Sequence, residues 1–446
     1  MVPGSRLFSF HRVTLIAFAL VCLAVVGHCS PAHCLATSQA GETNPVDCSQ
    51  SNQMHDSDAT IMRFHEAPTH FRLMTSRYFA MVRAVRGYQC TGTVTVGFDG
   101  YHYFQTARGD DPGLMELVPT LARLTGLSLA AAYDLTILLT ATGGIFIGYA
   151  AFWKLYPDRL LRGIGAGIFL CLGFAEVRVA DEYIFQISPL IAGIPWLLYL
   201  ALARRPNALT ASAAALAFLC SWCSLLRAGT IPICMTFLIA MFFIRRRIQR
   251  PFFPCLLLIL ACIPSVIFEQ SLTARRDAAL ARIGQSATSP NTHLLWHTVY
   301  IGLGFIPNSE VSEYRDSVAW DKVRSIDPTA TYASTRYETI IKHEVWSVVK
   351  RKPILVIGIL TAKAGIVICL FLILLSPVRR LMFTERALFW LDAAIVLTMG
   401  MSAMSAIAAV PRTSYLLTFL CLGFLYSAIK LCRERYQSRP GRLSVP

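Results

Sequence analysis

The chain has 446 residues, of which 55% are hydrophobic and only 15% are charged. So much apolar surface does not fit a soluble protein of this length and indicates a chain embedded in a bilayer. The formal net charge is +15, but the basic residues lie in short clusters between apolar runs. That pattern argues against the continuous basic face of a nucleic-acid-binding protein, so no nucleic acid partner is expected.

Apolar runs along the chain predict about ten membrane-spanning helices. A spanning helix needs roughly 17 to 25 mainly apolar residues, because the bilayer core offers no water to hydrogen-bond the backbone. The sequence therefore predicts an all-α polytopic membrane protein. The predicted spans are residues 13–28, 127–152, 161–178, 184–203, 208–226, 229–244, 252–268, 354–376, 387–409 and 413–430.

Clusters of Lys and Arg lie on alternate connectors, and such clusters stay on the cytoplasmic side. Both termini are therefore predicted to be cytoplasmic, and two large loops are predicted to be exported. The predicted divisions are 1–28 (cytoplasmic N-terminus and first helix), 29–126 (first exported loop, with an interfacial helix), 127–268 (helices 2–7), 269–353 (second exported loop, also with a helix), 354–430 (helices 8–10) and 431–446 (basic cytoplasmic tail).

The first apolar run follows a basic start and has two interpretations. Small residues such as Gly27 and Ala32 near its end suit a cleaved signal peptide, and the alternative is a retained membrane anchor. Four cysteines follow in the first exported loop, where an oxidising compartment would permit a pair such as Cys48 with Cys90. The polar residues 35–60 indicate a flexible linker, and we expect order to begin near Met62.

Asp99 is the first candidate for chemistry. It lies in FDGYHYF, between a glycine and a group of aromatic residues, just ahead of the amphipathic stretch GLMELVPTLARLTGLS. A carboxylate there could act as a general base that takes a proton from an acceptor hydroxyl. The alternative is an ordinary Asp-Gly turn.

Asp181 and Glu182 form a second acidic motif in a short exported turn. No cofactor is firmly implied, but Asp99, Asp181 and Glu182 have the ligand chemistry for a divalent metal such as Mg²⁺ or Mn²⁺. A solvated turn at the membrane boundary is an equally good interpretation. An internal ion pair between Glu176 and Arg178 would also explain part of this cluster.

Three cations are predicted near the same exported face. Arg227 and Arg412 lie in short turns, and Lys363 lies about ten residues into the predicted span at 354–376. Ionisable groups at membrane depth are costly, and Arg and Lys both bind phosphate oxygens. These residues could hold a donor phosphate, or the two arginines could simply extend to the interface.

In the second exported loop, His297 and Tyr300 could line an acceptor site, with Asp316 and Asp321 after them. Packing of the aromatic residues against the membrane surface is the alternative. The stretch TRYETIIKHEVWSVVKRKP predicts an amphipathic helix before Pro353. The sequence shows no solenoid repeat, phosphate-binding Gly-rich loop or metal-type Cys/His spacing.

The layout, the FDGYHYFQTAR element and the DEY turn at 181–183 resemble the GT-C glycosyltransferase superfamily. LLWHTVYIGLGFIPN similarly resembles a segment of bacterial membrane proteins of this type. Members use polyprenyl-phosphate-linked sugars and carry a catalytic Asp in the first exported loop, which the resemblance assigns to Asp99. Where members more commonly have an acidic pair, this chain has Asp99 followed by Gly100.

The resemblance implies an inverting glycosyltransferase of a bacterial inner (plasma) membrane, acting in cell-envelope glycan or glycolipid synthesis. Its expected partners are a polyprenyl-phosphate-linked sugar donor, a glycan, lipid or protein acceptor, and membrane lipids. One alternative is a lipid-linked glycan polymerase or ligase. Another is a non-enzymatic polytopic protein such as a transporter, although the sequence lacks a convincing repeat of two halves.

Overall fold

The computed structural model describes residues 76–98, 103–105, 111–179, 182–245, 252–284, 294–330 and 334–438. Helices dominate this part of the chain, together with one hairpin of two short antiparallel strands. The helices are α1 Ser76–Thr91, α2 Pro112–Thr125, α3 Leu129–Leu155, α4 Arg159–Val179, α5 Ile184–Leu202, α6 Pro206–Leu226, α7 Thr230–Ile244, α8 Phe252–Arg282, α9 Leu295–Gly302, α10 Asp316–Ile326, α11 Thr335–Arg351, α12 Pro353–Leu375, α13 Phe389–Ala408 and α14 Thr413–Gln437, and the strands are β1 Val96–Phe98 and β2 Tyr103–Gln105.

The fold is an all-α polytopic membrane protein, as predicted. Among the described helices, eight are long and apolar enough to cross a membrane, and α7 is a shorter apolar helix. Each of the nine predicted spans from 127 onward has a helix at its position. The predicted span at 13–28, the linker at 35–60 and the start of order near Met62 lie outside the described residues.

Two helices extend well past the predicted ends of their spans. The span predicted at 252–268 continues as α8 to Arg282, so helix occupies the beginning of the predicted exported loop. The span predicted at 413–430 continues as α14 to Gln437, into the predicted basic tail. Residues such as Ala and Arg in these extensions are strong helix formers, although their charge ends the apolar run.

The chain forms two compact units. The described part of the first contains α1, the hairpin, α2 and the adjoining residues 129–134 and 272–284. Val96 of β1 is buried with Ala279 and Leu280. The prediction of helices for GLMELVPTLARLTGLS and for TRYETIIKHEVWSVVKRKP is confirmed by α2 and, in the second unit, by α11.

The second unit contains most of the spanning helices. Most residues of α5 and α14 are buried, whereas few residues of α8 and α12 are buried. The exposed side chains of α12 include Ile354, Ile357 and Leu360, and large apolar side chains on a membrane helix contact lipid. The unit therefore has α5 and α14 inside and lipid-facing helices around them.

Glycines let α3 approach α5 closely. A Cβ at Gly148 would lie 2.4 Å from the Ile191 carbonyl oxygen and 2.6 Å from the Phe169 ring, and one at Gly144 would lie 2.8 Å from the Ser188 carbonyl oxygen. Gly144 and Gly148 are four residues apart, which is the small-xxx-small spacing of tightly packed membrane helices.

Connectors that were predicted to share a membrane side meet in the structure. At one end, Gln186 Nε2 donates to the Ala228 carbonyl oxygen at 2.7 Å, joining the first turn of α5 to the connector after α6. At the other end, Arg245 donates to the Ala201 carbonyl oxygen at 2.9 Å, and Lys430 lies 2.8 Å from Asp392. This grouping into two ends agrees with the alternation of basic connectors.

Candidate functional site

Charged and aromatic side chains from four separate parts of the second unit meet at the end where α5 and α14 begin. They form one connected group, which we call the tyrosine–arginine cluster. Its members are Glu182, Tyr183, Arg227, Tyr314, Arg412 and Tyr415.

The inner half of the cluster is a buried ion pair beside an aromatic ring. The Arg227 guanidinium lies 3.6 Å from a Glu182 carboxylate oxygen, and both side chains are less than a tenth exposed. The guanidinium carbon lies 4.2 Å from the centroid of the Tyr183 ring, and the same guanidinium donates a hydrogen bond to the Tyr183 hydroxyl. Arg227 therefore has its charge balanced by Glu182 inside the protein.

The local backbone explains why Arg227 points inward. Arg227 directly follows the last residue of α6, and the next helix begins at Thr230. Gly229 has a φ of +90°, which L side chains rarely adopt, so glycine makes this tight connection possible. Gln186 holds the Ala228 carbonyl from α5, which fixes the turn against the helix that carries Tyr183 at its start.

The outer half of the cluster is a chain of two tyrosines that leads to an exposed arginine. The rings of Tyr183 and Tyr415 have centroids 5.3 Å apart, and the hydroxyls of Tyr415 and Tyr314 are 3.0 Å apart. Burial, and then the hydrogen bond with Tyr415, raise the pKa of Tyr314, so its phenol is neutral and can donate. The Arg412 guanidinium lies 4.7 Å from the centroid of the Tyr314 ring.

Arg412 differs from Arg227 in its surroundings. Its side chain is exposed, and among the described residues no acidic side chain forms an ion pair with it. Stacking on Tyr314 holds the planar guanidinium without using its hydrogen-bond donors. The fork of N–H groups is therefore available to an anion such as a phosphate.

Lys363 is held by backbone carbonyls. Its ammonium donates to the carbonyl oxygens of Ala409 at 2.6 Å, Ile407 at 3.2 Å and Ala408 at 3.4 Å. These carbonyls lie at the C-terminal end of α13. Carbonyls at that end of an α-helix have no hydrogen-bond partner within the helix and carry partial negative charge. Lys363 thus fixes the segment just before Arg412.

His297 and Tyr300 lie in a smaller hydrophobic cluster built from α9 to α12. The two ring nitrogens of His297 lie 2.6 Å from the Tyr337 hydroxyl and 3.2 Å from Asp316 Oδ1. Burial raises the pKa of Tyr300 to about 12, and its hydroxyl donates to the Glu310 carbonyl oxygen at 3.4 Å. These contacts give both residues a role in holding the segment together.

Asp99 and Asp181 lie outside the described residues. Asp99 directly follows β1, and Asp181 directly precedes Glu182 in the sequence. The described part of the chain contains no group of three or more His, Cys, Asp or Glu side chains that could hold a metal ion. A metal at Glu182 would compete with Arg227 for the carboxylate, so the metal remains a prediction.

Glu176 was interpreted from sequence as a partner of Arg178, whose side chain is not described. Its carboxyl is fully buried in α4 and accepts a hydrogen bond from the Ser188 hydroxyl of α5 at 2.9 Å, while Oε2 has no partner among the described residues. Sequence patterns did not mark Tyr314 or Tyr415 as site residues, and they marked Tyr183 only as the last residue of the DEY turn. Each lies next to a charged residue or at a span boundary, and only that weak signal could have marked them.

The cluster thus combines an available arginine with tyrosine hydroxyls and aromatic rings beside the ends of membrane helices. Such groups can bind phosphate oxygens, donate hydrogen bonds to oxygen atoms and stack against a sugar ring. Comparisons of the chain with protein-family models, with curated proteins and with solved structures found no match.

Proposed function

We propose that this protein is a membrane glycosyltransferase that moves a sugar from a polyprenyl-phosphate carrier to an acceptor hydroxyl at the membrane face that carries the tyrosine–arginine cluster. The observation that carries the proposal is the state of Arg412. It is an exposed arginine, stacked on Tyr314 and without an ion-pair partner among the described residues, at the end of a membrane helix. A carrier lipid presents its phosphate in the headgroup region, where membrane helices end.

The three predicted cations have different surroundings, and we assign each a role from its surroundings. Arg227 is neutralised by Glu182, and the Lys363 ammonium donates to carbonyls at the end of α13. Arg412 is therefore the residue to which we assign the donor phosphate, and Arg227 and Lys363 support the turns around it. Tyr314 and Tyr415 offer hydroxyls and ring faces next to that phosphate.

In the proposed reaction, Asp99 takes a proton from the acceptor hydroxyl, and the resulting oxygen attacks the anomeric carbon of the sugar. The bond between that carbon and the phosphate oxygen breaks, and the polyprenyl phosphate leaves with the bonding electrons. Its added negative charge is stabilised by the Arg412 guanidinium, an electrostatic contribution that is usually the largest in such reactions. A displacement of this kind inverts the anomeric configuration.

Binding of the polyprenyl monophosphate alone tests the donor site, and it does not require the sugar to be known. We expect Arg412→Ala to weaken binding to the purified full-length protein by about ten- to a hundredfold, because a charge-assisted hydrogen bond contributes about 1.5–3 kcal/mol. Arg315→Ala is the matched control, since Arg315 is also exposed but pairs with Glu313 at 3.3 Å. Equal binding by wild type and Arg412→Ala would remove Arg412 from the donor site.

Transfer itself is tested with labelled polyprenyl-phosphate sugars and membranes as the source of acceptor. We expect Asp99→Asn to bind the carrier normally and to transfer almost no sugar, because general-base catalysis contributes about 10² to 10⁴-fold. Wild-type transfer by Asp99→Asn would exclude Asp99 as the base. Movement of a preassembled oligosaccharide instead of a single sugar would favour a lipid-linked glycan polymerase or ligase.

A further inference from the structure

A second positively charged surface lies on α11, the helix that leads directly into the membrane helix α12. Lys342, Trp346 and Lys350 are exposed and follow one another at intervals of four residues, with His343 beside Lys342. Residues four apart share one face of a helix. We call this face the α11 stripe.

The α11 stripe combines cations with aromatic rings. Trp346 is 49% exposed, although tryptophan is usually well covered, and its ring centroid lies 6.3 Å from that of Trp296 on α9. The Lys342 ammonium lies 5.6 Å from the Trp296 ring centroid. On the opposite face of α11, Ile341 and Val345 are buried. The stripe is thus the outer face of a helix whose inner face is already packed.

The acidic side chains around the stripe are already engaged. Glu344 pairs with Lys322 at 3.1 Å, and Glu310 pairs with Arg351 at 3.0 Å and with Lys352 at 3.1 Å. Glu338, one turn before Lys342, accepts a hydrogen bond from the backbone N–H of Trp296. Within the described part of the chain, Lys342 and Lys350 form no ion pair, so both ammonium groups are available to an anion.

The stripe lies close to the membrane boundary. α11 ends at Arg351, and α12 begins at Pro353 with Ile354, which is 85% exposed and apolar. Lys350 is only three residues before Pro353, so its backbone lies within about 10 Å of the start of the lipid-facing helix. Tryptophan and lysine are the side chains that prefer the headgroup layer of a bilayer.

We propose that the α11 stripe binds the phosphate headgroups of anionic phospholipids in the adjoining leaflet. Lys342 and Lys350 contact the phosphates, and Trp346 inserts its ring among the glycerol and upper acyl carbons. The bound lipids hold α11, and with it the small cluster of α9 to α11, against the bilayer. The inference does not depend on the proposed sugar transfer.

Titration of the detergent-solubilised full-length protein with phosphatidylglycerol, followed by native mass spectrometry, tests this surface. We expect the double variant Lys342→Ala/Lys350→Ala to bind phosphatidylglycerol about 25-fold more weakly, since each surface lysine contributes about fivefold to binding at an anionic membrane. The double variant Lys342→Arg/Lys350→Arg keeps the charge and is expected to bind like wild type. The double variant Lys322→Ala/Glu344→Gln is the matched control, because it removes both charges of one ion pair and leaves the net charge beside the stripe unchanged.

Lipid selectivity and salt give independent readouts on the wild type, even if a variant does not fold. We expect phosphatidylcholine to be retained much less than phosphatidylglycerol, and about 0.5 M salt to weaken phosphatidylglycerol binding, because exposed charges are screened. Unchanged phosphatidylglycerol binding by the folded alanine double variant would overturn the proposal. Equal retention of both lipids, or occupation of the stripe by a co-purified protein instead of lipid, would also overturn it.

Discussion

Arg227 and Glu182 show how strongly the role of a charged residue depends on its surroundings. Both are buried at the start of α5 and the end of α6, and each balances the charge of the other. We expect Arg227→Ala to lower the free energy of unfolding by about 3–5 kcal/mol, because it removes the guanidinium that faces the buried Glu182 carboxylate. Arg412→Ala should change it by less than about 0.5 kcal/mol, since Arg412 is exposed.

Denaturant unfolding in a mild detergent, followed by circular dichroism, would compare the two arginine variants. Adding Glu182→Gln to Arg227→Ala should recover part of the lost stability, because the remaining side chain is then uncharged. Equal stability of the two single variants would show that the ion pair contributes nothing to folding, and Arg227 would return as a candidate for phosphate binding.

Lys363 offers a second test at the level of a single side chain. We expect Lys363→Met, which keeps most of the chain length, to destabilise the protein by about 1–3 kcal/mol, the cost of leaving buried carbonyls without donors. Lys350→Met is the matched control, because Lys350 is exposed and ends on no carbonyl among the described contacts. Thermal unfolding in detergent measures both.

If Lys363→Met is as stable as Lys350→Met, the carbonyls at the end of α13 do not need the ammonium. With that outcome, Lys363 would again be a candidate for binding an anion such as the donor phosphate. A loss of stability in Lys363→Met alone would agree with the structural role that we assign to Lys363, which is to hold the end of α13.

The sequence shows where charged residues and tyrosines lie relative to the spans, but it does not show which side chains or carbonyls they contact. The ten residues that separate Lys363 from the start of its span suggested a position deep in the membrane. In the structure, the same lysine meets the last carbonyls of α13, because neighbouring helices can be offset along their axes and hydropathy does not encode that offset. Tyr314 and Tyr415 are 101 residues apart, and no local pattern indicates that they meet.

At the level of helices, apolar runs were sufficient to predict the spans from residue 127 onward. Their ends were predicted less well where the apolar run stops but helix-forming residues continue, as in α8 beyond Phe268 and α14 beyond Lys430. Membrane insertion depends on hydrophobicity, whereas helix continuation depends on backbone hydrogen bonds and side-chain propensity. A hydropathy pattern therefore underestimates helices that project beyond the bilayer.

The close contact of α3 with α5 gives a prediction with a well-matched control. We expect Gly148→Ala to destabilise the protein by about 1–3 kcal/mol, because its Cβ would lie 2.4 Å from the Ile191 carbonyl oxygen. Gly143→Ala adds the same methyl group to the same helix, where nothing lies within 4 Å, and should be neutral or slightly stabilising. The difference in melting temperature between the two variants isolates the packing effect.

Helix propensity changes equally in both alanine variants, so it cannot account for a difference between them. Equal melting temperatures would mean that α3 and α5 can separate at no cost, contrary to tight packing at Gly148. Gly148→Leu should then be tolerated as well, whereas we expect it to prevent accumulation of the protein in the membrane.

For the whole molecule, the sequence predicts which connectors share a side, and the structure brings those connectors together. Tyr156 donates to the Ile429 carbonyl oxygen at 2.9 Å, and Arg433 pairs with Glu385, all at the end predicted to be cytoplasmic. Arg227 and Arg412 belong to connectors at the opposite end, and Lys363, in the middle of α12, reaches the end of α13 there. Proximity alone does not assign either end to a compartment, and that assignment still depends on the basic clusters.

The predicted orientation has a direct consequence for the proposed chemistry, because a polyprenyl-linked donor on the exported face must meet Arg412 there. We expect alkaline phosphatase, which is active only after export, to be active when fused after Asp327 and inactive when fused after Arg205 or Ser438. Green fluorescent protein fused at the same positions should give the reverse pattern and controls for expression. Active phosphatase after Ser438, with none after Asp327, would show that the orientation is the reverse of the predicted one. The tyrosine–arginine cluster would then face the cytoplasm. The cluster could then receive only a donor from the inner leaflet, and the assignment of Asp99 to acceptors outside the cell would fail with it.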